Sequence, residues 1–326
     1  MSTNQSAIRW GILATGRIAE HFANDLALVD GSELAAVGSR RLDAAQEFAT
    51  RFGGARAHGS YEELAADPDI DVIYVATPHS RHLDDVMVCL EAGKNVLCEK
   101  ALAMNAGDAE TMIAEARSRG LFFAEAMWMR TNPNIRRMRE LVGRGAIGTP
   151  LQVRAELGYA AEAEKTRMWD PALGASALLD VGIYPLTFAY LLLGEPSHIV
   201  AAGVLSDQGI DVNGGATLTY ASGAVANIAW NQVAQSDNRG SVAGDTGLVE
   251  MITRFHEPTG FTVVHGEETE TIAEPVIGRG YAHEIIEVAD CLRAGATESA
   301  LLPPDESLAI MKHLDEILRQ LGVAPR

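Results

Sequence analysis

The sequence predicts an α/β protein with two domains: a parallel-sheet domain over residues 1–125, and an α+β domain with a large, mostly antiparallel open sheet over residues 126–326. Up to about residue 125, strand-like and helix-like segments alternate, which is typical of βαβ units. After that point, short segments with alternating polar and apolar residues predominate, as in half-buried antiparallel strands. The length of 326 residues also favours two domains, at roughly 150 residues for each.

The first domain contains short apolar strands separated by amphipathic helices. In the first helix, Ile18, Phe22, Leu26 and Val29 lie on one face, as helical spacing requires. The predicted strands are 8–13, 34–37, 72–76, 95–98 and 121–124, and the predicted helices are 17–29, 42–52, 81–92 and 106–119.

The second domain contains a series of strands, one hydrophobic helix and two C-terminal helices. The predicted strands are 151–158, 199–205, 216–220, 225–230, 248–252 and 261–265. Residues 221–223 fit a short hairpin loop. A helix over 177–193 is expected to cover one face of the sheet, which leaves the other face for a homodimer or homotetramer. The last two helices, 282–294 and 305–321, are assigned to this domain, with packing against the first domain as the alternative.

Composition argues against several classes of function. The formal net charge is −18, so the chain repels nucleic acids and anionic membrane surfaces, and neither is expected as a partner. The three cysteines lack the C-x-x-C spacing of structural zinc sites and are too few and odd in number for a disulfide framework. Residues 1–6 are polar and lack the apolar segment of a secretory signal, which favours a cytoplasmic location.

One apolar stretch, residues 174–194, could pass for a membrane span. Asp180 is its only charge, Gly182 and Pro185 interrupt it, and no basic residues anchor its ends. These features favour a buried helix over a membrane segment.

A turn of small residues follows the first strand. The segment GILATGRIA, residues 11–19, fits the dinucleotide-binding pattern G-x-G-x-x-G/A, with Ala14 in place of the first glycine and Gly16 and Ala19 at the other two positions. Gly16 lets the backbone approach a pyrophosphate at the N-terminus of the helix. The strand–turn–helix context predicts a Rossmann domain, with an ordinary small-residue turn as the alternative. The predicted cofactor contacts here are Gly11, Ala14, Thr15, Gly16, Arg17 and Ile18.

The end of the second strand indicates which nicotinamide cofactor binds. An NAD site usually has an Asp or Glu here for the ribose 2′-hydroxyl, and none appears before Asp43. Ser39 and Arg40 could instead hold a 2′-phosphate, by a hydroxyl hydrogen bond and by charge. The sequence therefore favours NADP over NAD. The alternative is that Arg40 and Arg41 are merely solvated.

A further loop, TPHSRH, follows the strand that ends at Ala76. It lies where ligands bind in open α/β folds. Its residues Thr77, Pro78, His79 and His82 are expected to line the nicotinamide side. A metal site at the two histidines is the less favoured alternative, because no acidic or cysteine partner stands at a known spacing.

Glu99 and Lys100 follow the strand at 95–98, at the same edge of the predicted sheet. A lysine there presents a cation and three hydrogen-bond donors to a cleft. Lys100 is therefore the candidate catalytic cation, and Glu99 is expected to shape the turn on the cofactor side. Two solvated charges in a turn are the alternative.

Asp180 stands alone in the apolar stretch, and a buried unpaired carboxylate is costly, so it should have a partner. Tyr184 is four residues further on, on the same helical face, and Pro185 removes a backbone donor that the turn would use. A Tyr–Asp pair facing a cleft could meet Lys100, whose ammonium group favours the phenolate form. Such a group of residues would remove a hydroxyl proton while hydride leaves carbon. The alternative is a core tyrosine whose hydroxyl satisfies Asp180.

Together these segments resemble the family named for glucose–fructose oxidoreductase, inositol dehydrogenase and the rhizopine catabolism protein (Gfo/Idh/MocA). The resemblance spans nearly the whole chain and rests on GILATGRIA, ATPHSRH, LCEKALA and ALLDVGIYPL. The segments EAMWMRTNP, GYAHEIIEVADCLRAG and LPPDESLAIMKHLDEI are similar to the subgroup that contains dimeric dihydrodiol dehydrogenase and NADP-dependent xylose dehydrogenase.

The resemblance implies a Rossmann domain followed by an α/β domain whose open sheet mediates dimers or larger assemblies. The family's lysine, aspartate and acid/base residue fall on Lys100, Asp180 and Tyr184. The sequence departs from the family pattern at Ala101, where proline is usual, and at Ala14, where glycine is usual. By the same resemblance, the cofactor is lined by Trp169 and Tyr281, and the substrate cleft by Trp128, Arg130 and Arg167.

The leading prediction is an NADP-dependent oxidoreductase that transfers hydride between nicotinamide and a sugar, polyol or cyclic diol. Tyr184 would be the acid/base, Lys100 would polarise the oxygen, and Asp180 would orient both. One alternative is a non-enzymatic NADP-binding sensor or repressor partner, which needs no proton relay. The other is a glycosidase that uses NAD transiently, which Ser39 and Arg40 disfavour.

Overall fold

The computed structural model describes residues 7–162 and 166–324. This part of the chain divides into two compact units. Unit 1 consists of the chain up to Ala103 together with Gly107–Thr131 and Val276–Ser307, and unit 2 consists of Met104–Ala106, Asn132–Pro275 and the chain from Leu308 onward.

The strands and α-helices are numbered in chain order. The strands are β1 (Ile8–Leu13), β2 (Ser32–Gly38), β3 (Arg56–His58), β4 (Val72–Val75), β5 (Asn95–Glu99), β6 (Phe123–Ala126), β7 (Pro150–Gly158), β8 (His198–Leu205), β9 (Asp211–Thr219), β10 (Val225–Asn231), β11 (Gly240–Gly244), β12 (Leu248–Ile252), β13 (Gly260–His265) and β14 (Glu268–Ile272). The helices are α1 (Arg17–Leu26), α2 (Leu42–Arg51), α3 (Tyr61–Ala65), α4 (His82–Glu91), α5 (Ala106–Arg119), α6 (Pro133–Gly143), α7 (Thr166–Trp169), α8 (Ile183–Leu193), α9 (Tyr281–Arg293) and α10 (Pro304–Gln320).

Unit 1 contains a parallel sheet with the strand order β3-β2-β1-β4-β5-β6. β1 pairs with β2 on one side and with β4 on the other, so the strand order reverses beside β1. In open α/β sheets, ligands bind outside the carboxyl ends of the strands at such a switch point. This is the strand order of the Rossmann fold, and it confirms the predicted class of the first domain.

An aromatic cluster fixes α1 against this sheet. The ring of Phe22 on α1 stacks on Tyr74 of β4 at a centroid distance of 3.7 Å and meets the edge of Trp10 of β1 at 5.3 Å. All three side chains are fully buried. Because α1 starts directly after the turn that follows β1, this packing sets the direction in which its N-terminus points.

Helix α9 is joined to α1 within unit 1 by one carboxylate. Asp25 accepts hydrogen bonds from the backbone N–H groups of Arg279 (3.0 Å) and Ala282 (3.2 Å), at the start of α9. A Cβ atom at Gly278, where φ is +59°, would lie 2.3 Å from Asp25 Oδ1. Asp25 therefore replaces the side-chain cap that Gly280, the residue before α9, cannot supply.

Unit 2 contains a sheet with the strand order β14-β13-β12-β11-β7-β10-β9-β8. Its strands pair antiparallel except for β7 and β10, which pair parallel. Alternate residues of β7, namely Val153, Ala155 and Leu157, are buried, and α8 packs against β7, β10 and β11. These findings confirm the predicted class of the second domain and the hairpin between β9 and β10.

The hydrophobic helix predicted over 177–193 has two parts. Leu178–Gly182 form a π-helical turn, and α8 follows directly. Residues Pro171–Leu193 are long and apolar enough for a membrane span by composition, with a mean hydropathy of 1.6, but 83% of the window that gives this value is buried within the protein. Such burial is typical of a core helix, as the sequence predicts for this stretch.

Candidate active site

The turn between β1 and α1 has the features of a phosphate-binding loop. Ala14 has a φ of +87°, a conformation that glycine adopts most easily, so alanine occupies the glycine position of the pattern at some conformational cost. Gly16 precedes α1 without a side-chain cap. Apart from Gly16 and its two chain neighbours, no residue that the structure describes has an atom within 4 Å of a Cβ atom placed there. The uncapped N–H groups and the open space fit a pyrophosphate. Gly11, by contrast, lies in β1 against Ile70.

The β2–α2 loop carries the residues predicted to select the cofactor. The backbone N–H of Ser39 donates to the carbonyl of His58 (3.2 Å), which holds this loop against β3. Arg41 is bound by the carboxylate of Asp43, with 3.0 Å between Nε and Oδ1. Arg40 is exposed and forms no ion pair with any residue that the structure describes. Its guanidinium group therefore fits an added phosphate better than that of Arg41.

The two histidines of the TPHSRH loop bind the backbone of the Lys100 turn. Nε2 of His79 lies 3.1 Å from the carbonyl oxygen of Lys100. Nδ1 of His82 lies 3.0 Å from the carbonyl oxygen of Ala101, and its Nε2 lies 2.9 Å from that of Thr77. His82 is fully buried, and this burial lowers its pKa although the contacts with carbonyl oxygens oppose the shift. The histidines thus join two loops at the carboxyl edge of the sheet.

Glu99 is buried at the end of β5, and both of its carboxylate oxygens accept hydrogen bonds. The hydroxyl of Tyr74 donates to Oε1, and the backbone N–H of Lys100 donates to Oε2 (3.2 Å). The Lys100–Ala101 peptide bond is cis, and the backbone N–H of Leu102 donates to Glu125 (2.9 Å). Glu99 thus fixes the turn from which the half-buried Lys100 side chain extends.

A second buried acid, Glu284 in the first turn of α9, contributes to the electrostatics of this region. Its side chain is fully buried, and neither carboxyl oxygen has a hydrogen-bond partner among the residues that the structure describes. Burial, with the charges of Glu99 and Asp25, raises its pKa well above the ordinary value. Burial thus favours the neutral form of the Glu284 carboxyl group, whereas Glu99 and Asp25 have hydrogen-bond donors of their own.

The predicted residues Trp128, Arg130 and Tyr281 all lie in unit 1. The rings of Trp128 and Tyr281 stack at a centroid distance of 4.7 Å, and both are nearly buried. The buried guanidinium of Arg130 binds the carboxylate of Glu306 and donates to the carbonyl of Leu301 (2.9 Å). These contacts give Arg130 a role in holding the start of α10, so we do not include it in the proposed substrate site.

In unit 2, Asp180 lies in the π-helical turn and receives hydrogen bonds from two sides. The hydroxyl of Tyr159, directly after β7, donates to Oδ2 (3.1 Å), and Arg167 on α7 donates to Oδ1 (3.1 and 3.2 Å). Only 8% of the Asp180 side chain is exposed, compared with 47% for Arg167. The carboxylate is therefore held in one orientation while one of its partners stays open to solvent.

The π-helical turn itself is fixed at both ends. The buried carboxylate of Asp211, at the start of β9, accepts a hydrogen bond from the backbone N–H of Leu178 (2.6 Å). At the other end, a Cβ atom at Gly182 would lie 2.9 Å from the ring of Trp230 on β10. Only glycine lets the turn approach the sheet this closely. π-Helical turns occur frequently at functional sites.

Tyr184 follows in the first turn of α8 and is also nearly buried, at 5% exposure. Its ring packs against that of His256 at a centroid distance of 5.1 Å. Phe255, the neighbour of His256, packs edge-on against Phe188 of α8. The loop between β12 and β13 therefore fixes the position of the Tyr184 ring.

Trp169, predicted to line the cofactor, lies in unit 2. Its indole Nε1 donates to the carbonyl of Glu162 (3.1 Å). The ring packs against a small apolar cluster formed by Ala175, Ile210 and Val212.

Four residues around these sites are absent from the sequence prediction: Tyr159, Asp211, His256 and Glu284. Glu284 carries a usable signal, because it is an acid within the apolar spacing of α9. The other three come from strand ends and loops distant in sequence from their partners, so spacing gives no signal for them.

The fold and these sites define a dinucleotide-dependent oxidoreductase with a Rossmann sheet in unit 1 and a large mixed sheet in unit 2. Comparison with known proteins identifies the family. Residues 8–126 match the oxidoreductase family with an NAD-binding Rossmann fold, and residues 135–250 match the GFO/IDH/MocA C-terminal domain. The chain belongs to the Gfo/Idh/MocA family.

Relatives with reported activities cover nearly the whole chain. Trans-1,2-dihydrobenzene-1,2-diol dehydrogenase of Bos taurus is 37% identical, with 97% of this chain and 98% of the relative aligned. D-xylose 1-dehydrogenase (NADP(+)) of Hypocrea jecorina is 35% identical, with 99% of this chain and 94% of the relative aligned. A crystal structure of a 3-ketoreductase from Actinomadura kijaniata with NADP and TDP-benzene has a TM-score of 0.88, at 28% identity over 97% of this chain and 98% of that one.

Proposed function

We propose that this protein is an NADP-dependent oxidoreductase that transfers hydride between nicotinamide and a carbon of a sugar, polyol or cyclic diol. The observation that carries the proposal is the Lys100 turn, which two histidines and Glu99 hold at the carboxyl edge of the Rossmann sheet. Family membership and the activities of relatives that align over nearly the whole chain support the same reaction class.

The residues around the nucleotide loops fit NADP. The open space at Gly16 and the uncapped start of α1 suit the pyrophosphate. Ser39 and Arg40 suit the 2′-phosphate, because the Arg40 guanidinium has no carboxylate partner among the described residues. When bound, NADP accepts or donates hydride at C4 of its nicotinamide ring. The residues assigned to hold it are Gly11, Ala14, Thr15, Gly16, Arg17, Ile18, Ser39, Arg40, Thr77, Pro78, His79, His82, Glu99, Lys100, Trp169 and Tyr281.

Three residues are assigned to the proton transfer. Oxidation of an alcohol requires that the hydroxyl proton leave as the carbon gives up hydride, and Tyr184 is the acid/base that takes this proton. The Lys100 ammonium polarises the substrate oxygen and favours the phenolate. Asp180 accepts hydrogen bonds from Tyr159 and Arg167, so it is an oriented acceptor for substrate hydroxyl groups. Arg167 and Trp128 are assigned to the substrate.

The reaction is tested by NADP reduction with a panel of aldoses, polyols and cyclic diols. Lys100→Met and Tyr184→Phe should each lower kcat/KM by about 100-fold or more, as expected for lost acid/base catalysis. Tyr220→Phe is the matched control, because the buried Tyr220 hydroxyl has no partner in the described chain. Near wild-type activity of either catalytic variant would overturn the mechanism. Saturable NADPH binding without turnover of any substrate would overturn the enzymatic function.

The outer face of the unit 2 sheet is proposed as the contact between copies of this chain. β8 exposes Val200 to 70% and Val204 to 57%, and an apolar sheet face of this kind suits burial against a second copy. Size-exclusion chromatography with light scattering should give a homodimer or homotetramer, which Val200→Lys with Val204→Lys dissociates. Leu28→Lys is the control, because Leu28 is 56% exposed elsewhere, in unit 1. A monomeric wild-type protein would overturn the proposal.

A cytoplasmic location is proposed from the cysteines. Cys89, Cys98 and Cys291 are all free thiols, as is usual in a reducing compartment. Cell fractionation with activity measured in each fraction tests this, and activity confined to an exported fraction would contradict it.

A further inference from the structure

Helix α7 carries part of the Asp180 site on a very short element. It consists of the four residues Thr166–Trp169, and a helix of this length is not stable by itself in water. Its carbonyl groups are those of a last turn, which have no partner inside the helix. Contacts with the rest of unit 2 therefore have to hold this segment in place.

Met168 lies between two hydrogen-bond donors of Asp180. Its thioether sulfur is 3.5 Å from Nη2 of Arg167 and 3.6 Å from the hydroxyl oxygen of Tyr159. Both of these side chains donate to the Asp180 carboxylate. Only 3% of Met168 is exposed. The position of the Met168 backbone therefore affects how the two donors meet this carboxylate.

A glutamine beside the sheet of unit 2 holds the backbone of Met168. Gln232 directly follows β10 and is fully buried. Its side-chain Nε2 donates to the carbonyl oxygen of Met168 at 3.0 Å. Its own backbone is fixed, because the N–H donates to the carbonyl of Val212 on β9 and the carbonyl accepts from the N–H of Ala161, both at 2.9 Å. Gln232 is thus a fixed donor to a carbonyl group that has no partner within α7.

We infer that Gln232 is a positioning residue for the substrate site. Its amide group holds Met168, so that Arg167 keeps the geometry in which it binds Asp180. Because Gln232 is fully buried, it acts through the backbone of α7 and not by contact with a substrate. A site that is already ordered loses less conformational entropy when a substrate binds. The inference rests on the assignment of Asp180 and Arg167 to substrate binding in the proposed function.

Trp169 makes the position of α7 measurable. The chain has four tryptophans. Three of them are buried, namely Trp10, Trp128 and Trp230. Trp169 is only partly buried, against a small apolar cluster that includes Val212. Acrylamide, which quenches indole fluorescence by collision, therefore reaches Trp169 more easily than the other three.

The first test measures whether Gln232 holds α7. Gln232→Met keeps an unbranched side chain of similar length but cannot donate a hydrogen bond. In the full-length protein, this variant should show a larger Stern–Volmer constant for acrylamide than the wild type, and the increase should disappear in a Trp169→Phe background. Gln232→Leu is a second variant with the same expectation. Gln235→Leu is the matched control and should change nothing, because the exposed Gln235 amide donates only to the adjacent Ser236 carbonyl among the described residues.

The second test measures whether this contact positions the substrate site. Gln232→Met should raise the KM for an aldose, polyol or diol that the panel identifies as a substrate by about threefold to tenfold, the effect of one lost hydrogen bond. The kcat should stay unchanged, because binding and not chemistry is affected. In an Arg167→Met background, Gln232→Met should have little further effect on KM. Effects on KM that multiply in the double variant would contradict the inference, since the two residues would then act independently.

A lower free energy of unfolding in urea, with wild-type quenching and KM, would show a purely structural role of Gln232 and overturn the inference. Increased quenching with an unchanged KM would also overturn it, because α7 would then be held without consequence for the substrate. If the wild type turns over no compound of the panel, the proposed function fails and the inference with it. The quenching test still shows in that case whether Gln232 holds α7.

Discussion

The hydroxyl of Tyr159 donates a hydrogen bond to Oδ2 of Asp180 at 3.1 Å, while Arg167 binds the other carboxylate oxygen, Oδ1. This contact joins the end of β7 to the π-helical turn that precedes α8. These two partners of Asp180 differ in chemistry. The phenol of Tyr159 is half-buried, while the long side chain of Arg167 is 47% exposed.

Tyr159→Phe should lower kcat/KM by roughly tenfold, because a hydrogen bond to a charged group contributes about 1.5–3 kcal/mol and its loss lets the Asp180 carboxylate rotate. The ring stays in place, so stability should change little. Steady-state kinetics and urea unfolding check both expectations. Tyr220→Phe, which removes a hydroxyl without a partner among the described residues, is the control. Unchanged kinetics for Tyr159→Phe would show that the Tyr159 hydroxyl does not orient Asp180 for the reaction.

His82→Phe should reduce both stability and activity. The phenyl ring fills the buried site but cannot donate a hydrogen bond. Because a neutral imidazole carries one N–H, one of the carbonyl groups of Thr77 and Ala101 loses its donor. Unsatisfied buried carbonyl groups cost about 1–3 kcal/mol, which urea unfolding will measure. Because the loop that carries Lys100 is released, kcat should fall more than the affinity for NADPH. A stability loss with unchanged kcat would show that His82 does not position Lys100.

Ala14→Gly should stabilise the protein by about 0.5–1 kcal/mol. Alanine at a φ of +87° carries a left-handed penalty of about 1–2 kcal/mol, partly offset by the greater entropy of glycine in the unfolded chain. Thermal or urea unfolding gives the difference. The control is Ala114→Gly, on the exposed face of α5, which should lose about 1 kcal/mol. A loss of stability at position 14 would mean that the methyl group of Ala14 makes contacts that outweigh the backbone penalty.

Much of the fold follows from the sequence, because the segments that carry it are periodic. The central strand β4 of unit 1, Val72–Val75, is apolar throughout and is buried on both faces. The strands of unit 2 alternate in burial, as in β10. Both patterns depend on local spacing, which the sequence shows directly. The predicted fold class and the family resemblance built on the motifs are both confirmed.

Other elements have no such periodicity. β3 is three residues long, and β14 reads as an acidic loop because all but its last residue are exposed polar side chains. Helix α6 does carry a signal, since Asn132 caps it and Pro133 is its first residue, but the sequence prediction does not use it. The helix predicted over 177–193 is interrupted by a π-helical turn, where Gly182 packs directly on Trp230, a tertiary contact that helical spacing cannot reveal.

The residues of the candidate sites also differ in whether the sequence alone predicts them. Lys100 is predictable because it follows a strand of a parallel sheet, where ligands bind. The contacts that hold it come from His79 and His82 on a different loop, and those that hold Asp180 come from a strand end and a separate helix. The assignment of these residues to catalysis stays a prediction.

Glu284→Gln should make the protein more stable at neutral pH and flatten its dependence on pH. Burial and the charges of Glu99 and Asp25 raise the pKa of Glu284 well above the ordinary value, so the folded state keeps a proton that the unfolded chain has released. The stability that comes from the raised pKa of Glu284 is fully present below the unfolded pKa of about 4.3. It is lost as the pH rises through the folded pKa. As the pH rises above the unfolded pKa, the unfolding free energy of the wild type should therefore fall relative to Glu284→Gln, with a slope of at most about 1.4 kcal/mol per pH unit. Urea unfolding at each pH measures this difference, and Glu110→Gln, at an exposed position on α5, should show none. Parallel pH profiles for the wild type and Glu284→Gln would mean that Glu284 is ionised in the fold and binds a partner there.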